Sequence, residues 1–315
     1  MLSRVADALY WIGRYSERTY SNTHIINYQL DHMLELGSAD KQYKHQWDTV
    51  LSICGYYDDF SSRYEGYDLS QMLYYLCKDE LNLNAVDSLI KNLRNNAKTS
   101  RDCIPNELFE EWNSLYLLNK EASLDKPFDV LEAYEYLANI RKYSLISTGI
   151  IDSVMTRDDC YHFIKIGKWL ERSEKTALII LKLMEDEIEM KQDFVITKAL
   201  QFTNTFEEYI RRSGIRETNE VLKFLINEVY CSKSIMYGIT KIKKTIMKLE
   251  NNEIRPYTQI LIDAIANIEE ILKSDVRQMS ANERQQWIIT IHQACIHLGP
   301  IFSKTYYLTE PILVK

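Results

Sequence analysis

A seven-residue pattern near the start of the chain returns half a chain later. Ile12-Gly13-Arg14-Tyr15-Ser16-Glu17-Arg18 and Ile166-Gly167-Lys168-Trp169-Leu170-Glu171-Arg172 both read apolar, Gly, base, aromatic, any residue, Glu, Arg. Their glycines lie 154 positions apart (13 to 167) in a chain of 315 residues. A second pair of segments repeats at a spacing of 149 (75 to 224): Tyr75 to Asp79, continuing to Val86, and Phe224 to Glu228, continuing to Ile235. A few residues' difference between the two offsets is an ordinary loop insertion. Self-similarity over half a chain points to two diverged copies of one structural unit. The expected organisation is two repeats, 1–152 and 153–315, interlocked about a pseudo-two-fold axis.

Composition makes those units helical. Gly occurs 9 times and Pro 5 times in 315 residues, too few to build many turns. Apolar positions Val5, Leu9, Ile12, Ile26, Leu30 and Met33 recur at helical spacing over 2–36, and Ile164, Leu170, Ala177, Ile180 and Met184 do so in the second copy. Further helices are expected around Trp47 to Tyr57, from Asp68 or Ser70 to Asp79, and from Asn82 or Asn84 to Thr99. Pro105 opens one to Lys120, and Pro127 one ending near Gly149. In the second half, Asp193 to Leu249 reads as three helices broken at Gly214 and Ser232. Pro256 opens the next, and the last spans Glu283 to Tyr306 with Gly299-Pro300 as a kink or interruption. Alternating strand patterns are absent, so the fold class is all-α, a helical bundle.

On a helix, Gly13 and Glu17 share a face while Arg18 lies about 100° further round, so adjacent Glu and Arg cannot pair well with each other. Partners within the same helix would be Arg14 for Glu17, and Lys168 or Lys175 for Glu171. A glycine inside a helix costs about 1 kcal/mol relative to alanine, so its presence in both copies points to close approach of another element. The motif helices are therefore expected to cross at the glycines, with Glu17 meeting Arg172 and Arg18 meeting Glu171. Two solvated faces that match by chance are the alternative.

The net charge of −7 and pI near 5.5 argue against general nucleic-acid binding, and the basic run Lys241 to Lys248 reads as a solvated helix face. No run of 18 apolar residues and no signal-type apolar core occurs. Six cysteines without C-x-x-C spacing look reduced, so a cytoplasmic, non-membrane protein is expected. Glycine-rich phosphate loops are missing, as are the paired Glu-x-x-His motifs of di-iron bundles. His292-x-x-Cys295-x-His297 does not converge on a helix, and reads as a buried, satisfied pair. Cys160 and His162 point apart. No cofactor, metal or nucleophile–base constellation is expected. Arg94 with Arg101, and Arg211 with Arg212, are candidates for an anion site or for plain surface charge.

The opening Met1-Leu2-Ser3-Arg4-Val5-Ala6, with Leu9 through Arg18, resembles the Alpha-E family of bacterial helical domains, named for a Glu-Arg motif and typically duplicated in tandem. Further matching stretches are Arg94-x-Asn96-Ala97 with Arg101, Glu110 with Asn113, Met155-Thr156-Arg157, Glu174, Thr176, Phe224-Leu225 and Ser234-Ile235. The resemblance spans nearly the whole chain. It makes Gly13, Arg14, Glu17, Arg18, Arg94, Arg101, Arg157, Gly167, Glu171, Arg172 and Glu174 the candidate motif and binding residues. There are departures. The family's acidic residue three after the first Glu is Tyr20 here, the basic one four further on is His24, and two proline-containing turns read Asn82-Leu83-Asn84 and Ser232-Lys233-Ser234.

What the resemblance implies is association. Such proteins resemble parts of a predicted peptide synthesis or modification system with circularly permuted ATP-grasp carboxylate–amine ligases and transglutaminase-like proteins. Two readings follow. A non-catalytic partner or scaffold, holding a peptide or the ligase, would have its four motif charges paired with each other and no sizeable cavity beside them. An enzyme of the same pathway would have them facing an open pocket, with at least one carboxyl of raised pKa.

Overall fold

The computed structural model describes residues 2–36, 42–66, 68–121, 130–185, 192–214 and 217–307. Among them are fourteen α-helices, two short 3₁₀ turns and no strand. The helices are α1 Ser3–Leu36, α2 Gln42–Cys54, α3 Tyr57–Arg63, α4 Leu69–Cys77, α5 Val86–Thr99, α6 Asn106–Glu121 and α7 Val130–Ser153. They continue as α8 Asp159–Glu185, α9 Gln192–Phe202, α10 Phe206–Arg212, α11 Thr218–Asn227, α12 Ile235–Leu249, α13 Gln259–Ile271 and α14 Ala281–Tyr306.

The motif helices α1 and α8 pack against each other more extensively than any other pair. Around them α5 and α7 flank α1, while α12 and α14 flank α8; α6 bridges α5 and α7, and α13 bridges α12 and α14. Leu9, Ile12, Ile164 and Leu170 from the central pair join Leu89, Leu137, Ile239 and Leu298 from the flanking helices among the fully buried side chains. A helix surrounded on every side should be apolar all round, yet α1 also buries Arg14, Glu17, Asn22, Thr23, His24 and Gln29. That polarity forces a hydrogen-bonded interior, from which the site below is built.

Several sequence expectations shift at helix ends. Tyr57 opens α3, a helix the sequence reading lacks, and does not close α2. Asp68 caps α4 through Ser70 N, but α5 starts after Ala85 without a side-chain cap. Asn82 instead closes the preceding turn, accepting from Asn84 N at 2.9 Å and donating to Tyr75 O. The helix expected to end near Gly149 runs on to Ser153, past a glycine with open space beside it. The stretch 193–249 holds four helices because Thr203, Asn204 and Thr205 break it. Asn204 takes a left-handed φ of 56°, and the hydroxyls of both threonines bond back to Leu200 O.

The last helix passes through Gly299-Pro300 without interruption, and Ser280 starts it with a capping box on Glu283. Pro300 deprives the Ile296 carbonyl of its helical donor, but Ile296 is exposed, so water can replace the bond. The expected stop at Gly37-Ser38 and the start at Pro127 lie outside the described residues.

Candidate functional site

The crossing of α1 and α8 is set by its glycines. A Cβ on Gly13 would lie 2.0 Å from Ile164 O and 2.7 Å from Lys168 N; one on Gly167 would lie 2.1 Å from Tyr10 O. The two backbones touch, which no larger residue permits. Four residues on, this contact brings the charged positions of one helix against those of the other.

Arg172 binds Glu17 through both its Nε (2.6 Å) and its Nη2 (2.7 Å). Arg18 binds Glu171 in the same two-pronged way at 2.6 and 2.9 Å. The expected exchange of partners between the motifs is present. The intrahelical pairings are not: Arg14 turns away from Glu17 and bonds Glu171 at 2.6 Å and both oxygens of Glu174 at 2.5 and 3.0 Å. Each motif carboxylate thus receives two cations, Arg14 and Arg18 for Glu171, Arg172 and Lys233 (3.0 Å) for Glu17. Arg18 donates its remaining arm to Asn84 at 3.0 Å, and Arg172 to Ser232 O. Planar guanidinium forks suit this double bonding better than an ammonium would. Because Lys233 is a second cation on Glu17, reversing both charges of the Glu17–Arg172 pair would leave a guanidinium at position 17 facing Lys233. Neutral replacement is the cleaner probe.

Burial would push both motif carboxyls up, but the cations around them win. Arg172 and Lys233 hold Glu17 well below the usual carboxylate range, and Arg18 with Arg14 hold Glu171 down at about 2. Glu174 goes the other way. Its burial and the neighbouring Glu171 carboxylate raise it, Arg14 notwithstanding. On the Glu17 side the cations outnumber the acids. Lys168, buried and near Arg172, has its Nζ on the Thr148 hydroxyl at 3.2 Å and is pushed down to about 7; Lys233 is pushed to about 8.

A pH dependence follows. Below pH 7 Lys168 is protonated in folded and unfolded chains alike, and the full cost of burying its charge is present. Between about 7 and its ordinary 10.5 the folded chain releases the proton while the unfolded chain keeps it, so stability rises with pH in that window. Lys168→Met should remove on the order of 2 kcal/mol of that rise, seen by urea denaturation at pH 6.5 and 9.5.

Beside this network lies an open cavity of about 760 Å³, within the range of small-ligand pockets. One face of α8 lines it with Glu171, Glu174, Lys175, Leu178 and Lys182, spaced as one helical stripe. The corner between α2 and α3 adds Gly55 through Asp59, α14 adds His292 and Ile296, and Arg18 and Asn84 close one end. The structure therefore combines features of both readings: the four motif charges are paired, and Arg18, Glu171 and raised Glu174 also face a sizeable cavity. Among the described residues no His/Cys/Asp/Glu cluster is placed to hold a metal.

The remaining candidates do not converge on this place. Arg94 bonds Asn113 at 2.8 Å and lies over Tyr116, and Arg101 bonds Asn106 and lies over Phe109, both joining the α5 end of the bundle to α6. Arg157 caps the C-terminus of α7 through the carbonyls of Ile151, Asp152 and Met155. Arg211 and Arg212 pair with Glu208. The buried pair expected of His292 and Cys295 separates, with Cys295 buried and His292 half-buried at the cavity. Sequence reasoning missed Asn84, Lys233, Asp58 and His292 as neighbours of the motif, and offered Lys175 only as an ion-pair partner of Glu171. The stripe 171, 174, 175, 178, 182 was legible as one helical face, but nothing in it marked a cavity.

No curated protein and no solved structure matches the chain, and no described helix is long and apolar enough to cross a membrane. One family does match, over residues 1–307: Alpha-E, described as a predicted alpha-helical domain with a conserved ER motif. The chain is a member of the Alpha-E family.

Proposed function

We propose that this protein is a non-catalytic cytoplasmic helical partner of an ATP-grasp carboxylate–amine ligase in a peptide synthesis or modification system, and that its cavity holds a peptide. The observation that carries this reading is the mutual pairing of the four motif charges; the cavity beside them, which a bare scaffold is not expected to have, is taken as the peptide site. Groups so engaged are poor at chemistry and good at holding a wall in place.

We further propose that the chain is a tandem duplication, 1–152 and 153–315, about a pseudo-two-fold axis at the two glycines. Supporting it is the repeated order α1–α7 and α8–α14, in which α3 and α10 are each seven residues and α5 and α12 are 14 and 15. Asn84 on Arg18 and Lys233 beside Arg172 then occupy equivalent turns. In the half-site so related to the cavity, His24 bonds Gln201 O at 2.8 Å and Asn204 bonds the Tyr20 hydroxyl at 3.0 Å, leaving about 10 Å³. The chain then binds one ligand, not two.

The test is co-purification with the ATP-grasp and transglutaminase-like proteins encoded nearby, using wild type and a Glu17→Gln, Arg172→Gln variant whose fold is checked by circular dichroism. A stable complex supports the partner role; loss in the folded double variant would extend it to the motif as part of the docking surface. Absence of any complex contradicts it. An enzyme of the same pathway is the second reading, favoured by raised Glu174 sharing the cavity with His292 and Lys175. Turnover of an added peptide by the isolated chain would decide for it.

A further inference from the structure

Lys175 is the cavity's unusual member. Its side chain is buried, and its Nζ donates to two neutral acceptors, Asn22 Oδ1 at 3.0 Å and Ile53 O at 2.7 Å. An ammonium has three donors, so one remains. Among the described residues no carboxylate lies within ion-pair distance of it, since Glu171 and Glu174 are engaged by Arg14 and Arg18. A buried charge whose nearby carboxylates are bound to other cations is costly, and this one lines an open cavity. Lys182 lies two turns further along the same face of α8, and His292 faces the cavity from α14. On another wall Asp59 is held by Arg63, while exposed Asp58 has no cation partner among the described residues.

We infer that the cavity binds the free carboxyl end of a short peptide, with the carboxylate at Lys175 and an amine of the same ligand at Asp58. This rests on the reading of the cavity as a ligand site. Four acids (Asp58, Asp59, Glu171, Glu174) against three cations (Arg18, Lys175, Lys182) leave the lining close to neutral. Such a lining suits a zwitterion better than a multiply charged phosphate chain.

The test incubates the full chain with an equimolar pool of tripeptides having free ends. The same pool amidated at the C-terminus, the same pool acetylated at the N-terminus, and inorganic phosphate are run beside it, with bound species read by mass spectrometry. The free pool should be retained at least tenfold over the amidated one, and acetylation should cost several-fold. Asp58→Asn, at an exposed cavity residue, should lower retention about fivefold for ligands with a free amine and leave acetylated ligands unchanged. Lys182→Gln, two turns from Lys175 at a side chain paired with Glu185, is the control and should leave retention unchanged. Lys175 itself is left in place because it also ties α2 to α1. Equal retention of free and amidated pools overturns the carboxylate assignment while leaving the cavity a peptide site. Displacement of the free pool by millimolar phosphate assigns the anion site to phosphate and also overturns it. Retention of neither pool removes the peptide reading of the cavity along with the inference.

Discussion

Gly13→Ala is expected to destabilise the protein by about 3 kcal/mol, at the upper end of overpacking costs. The sign is the informative part, because alanine normally stabilises a helix interior by about 1 kcal/mol over glycine. The added methyl would sit 2.0 Å from Ile164 O and 2.7 Å from Lys168 N. Both are backbone atoms, so no side chain can rotate away. The helices must separate, and separation lengthens the bonds that Arg14, Arg18 and Arg172 make across the crossing. Gly167→Ala should behave alike, with its methyl 2.1 Å from Tyr10 O. Gly149→Ala, on an outer helix with open space around it, is the control and should be neutral or slightly stabilising. Guanidinium denaturation of the three variants measures all of this. A stabilised Gly13→Ala protein would mean that α1 and α8 are not in backbone contact.

Glu171→Gln should cost more still, about 4 kcal/mol. The carboxylate is buried and accepts three hydrogen bonds, from Arg14 Nε, Arg18 Nε and Arg18 Nη2. Replacing it leaves two guanidinium groups and the Lys175 ammonium with Glu174 as their only carboxylate neighbour in the network. The amide can accept one of those bonds but brings no charge, and its NH₂ opposes a guanidinium. Removing Glu208, whose partners Arg211 and Arg212 lie at the surface, should leave stability nearly unchanged. The contrast between two glutamates each bonded to two arginines isolates the effect of burial. Acid titration carries the same signature. Glu171, held at about 2 in the fold, contributes stability that is complete above its ordinary 4.5 and is lost as pH falls toward 2. The Glu171→Gln protein should show a flatter stability profile between pH 4.5 and 2.

Much of this was legible in the residues. Helix content followed from scarce glycine and proline, and the exchange of partners followed from helical geometry: Glu and Arg in adjacent positions need partners elsewhere, and a glycine one turn before them supplies the approach. Arg14 was misassigned because intrahelical spacing was the only distance a sequence offers, whereas α8 lies closer to its guanidinium than Glu17 does. The break at Thr203 to Thr205 was missed because Asn204 takes the left-handed conformation there without a glycine to announce it. The cavity was out of reach. Asp58, Asn84, Lys175 and His292 come from four separate elements, and only the packing of α2, α3 and α14 around α8 brings them together.

The motif is an internal clamp between α1 and α8. A double-mutant cycle on Glu17→Gln and Arg172→Gln, measured by denaturant unfolding of the four proteins, tests it most directly. The clamp predicts a coupling of about 2 kcal/mol or more, because Glu17→Gln alone strands the buried Arg172 guanidinium and the double variant does not, while the loss of Glu17 as a partner of Lys233 is common to both and cancels. Additivity to within about 0.5 kcal/mol would contradict it and leave the two residues as independent groups that happen to face each other.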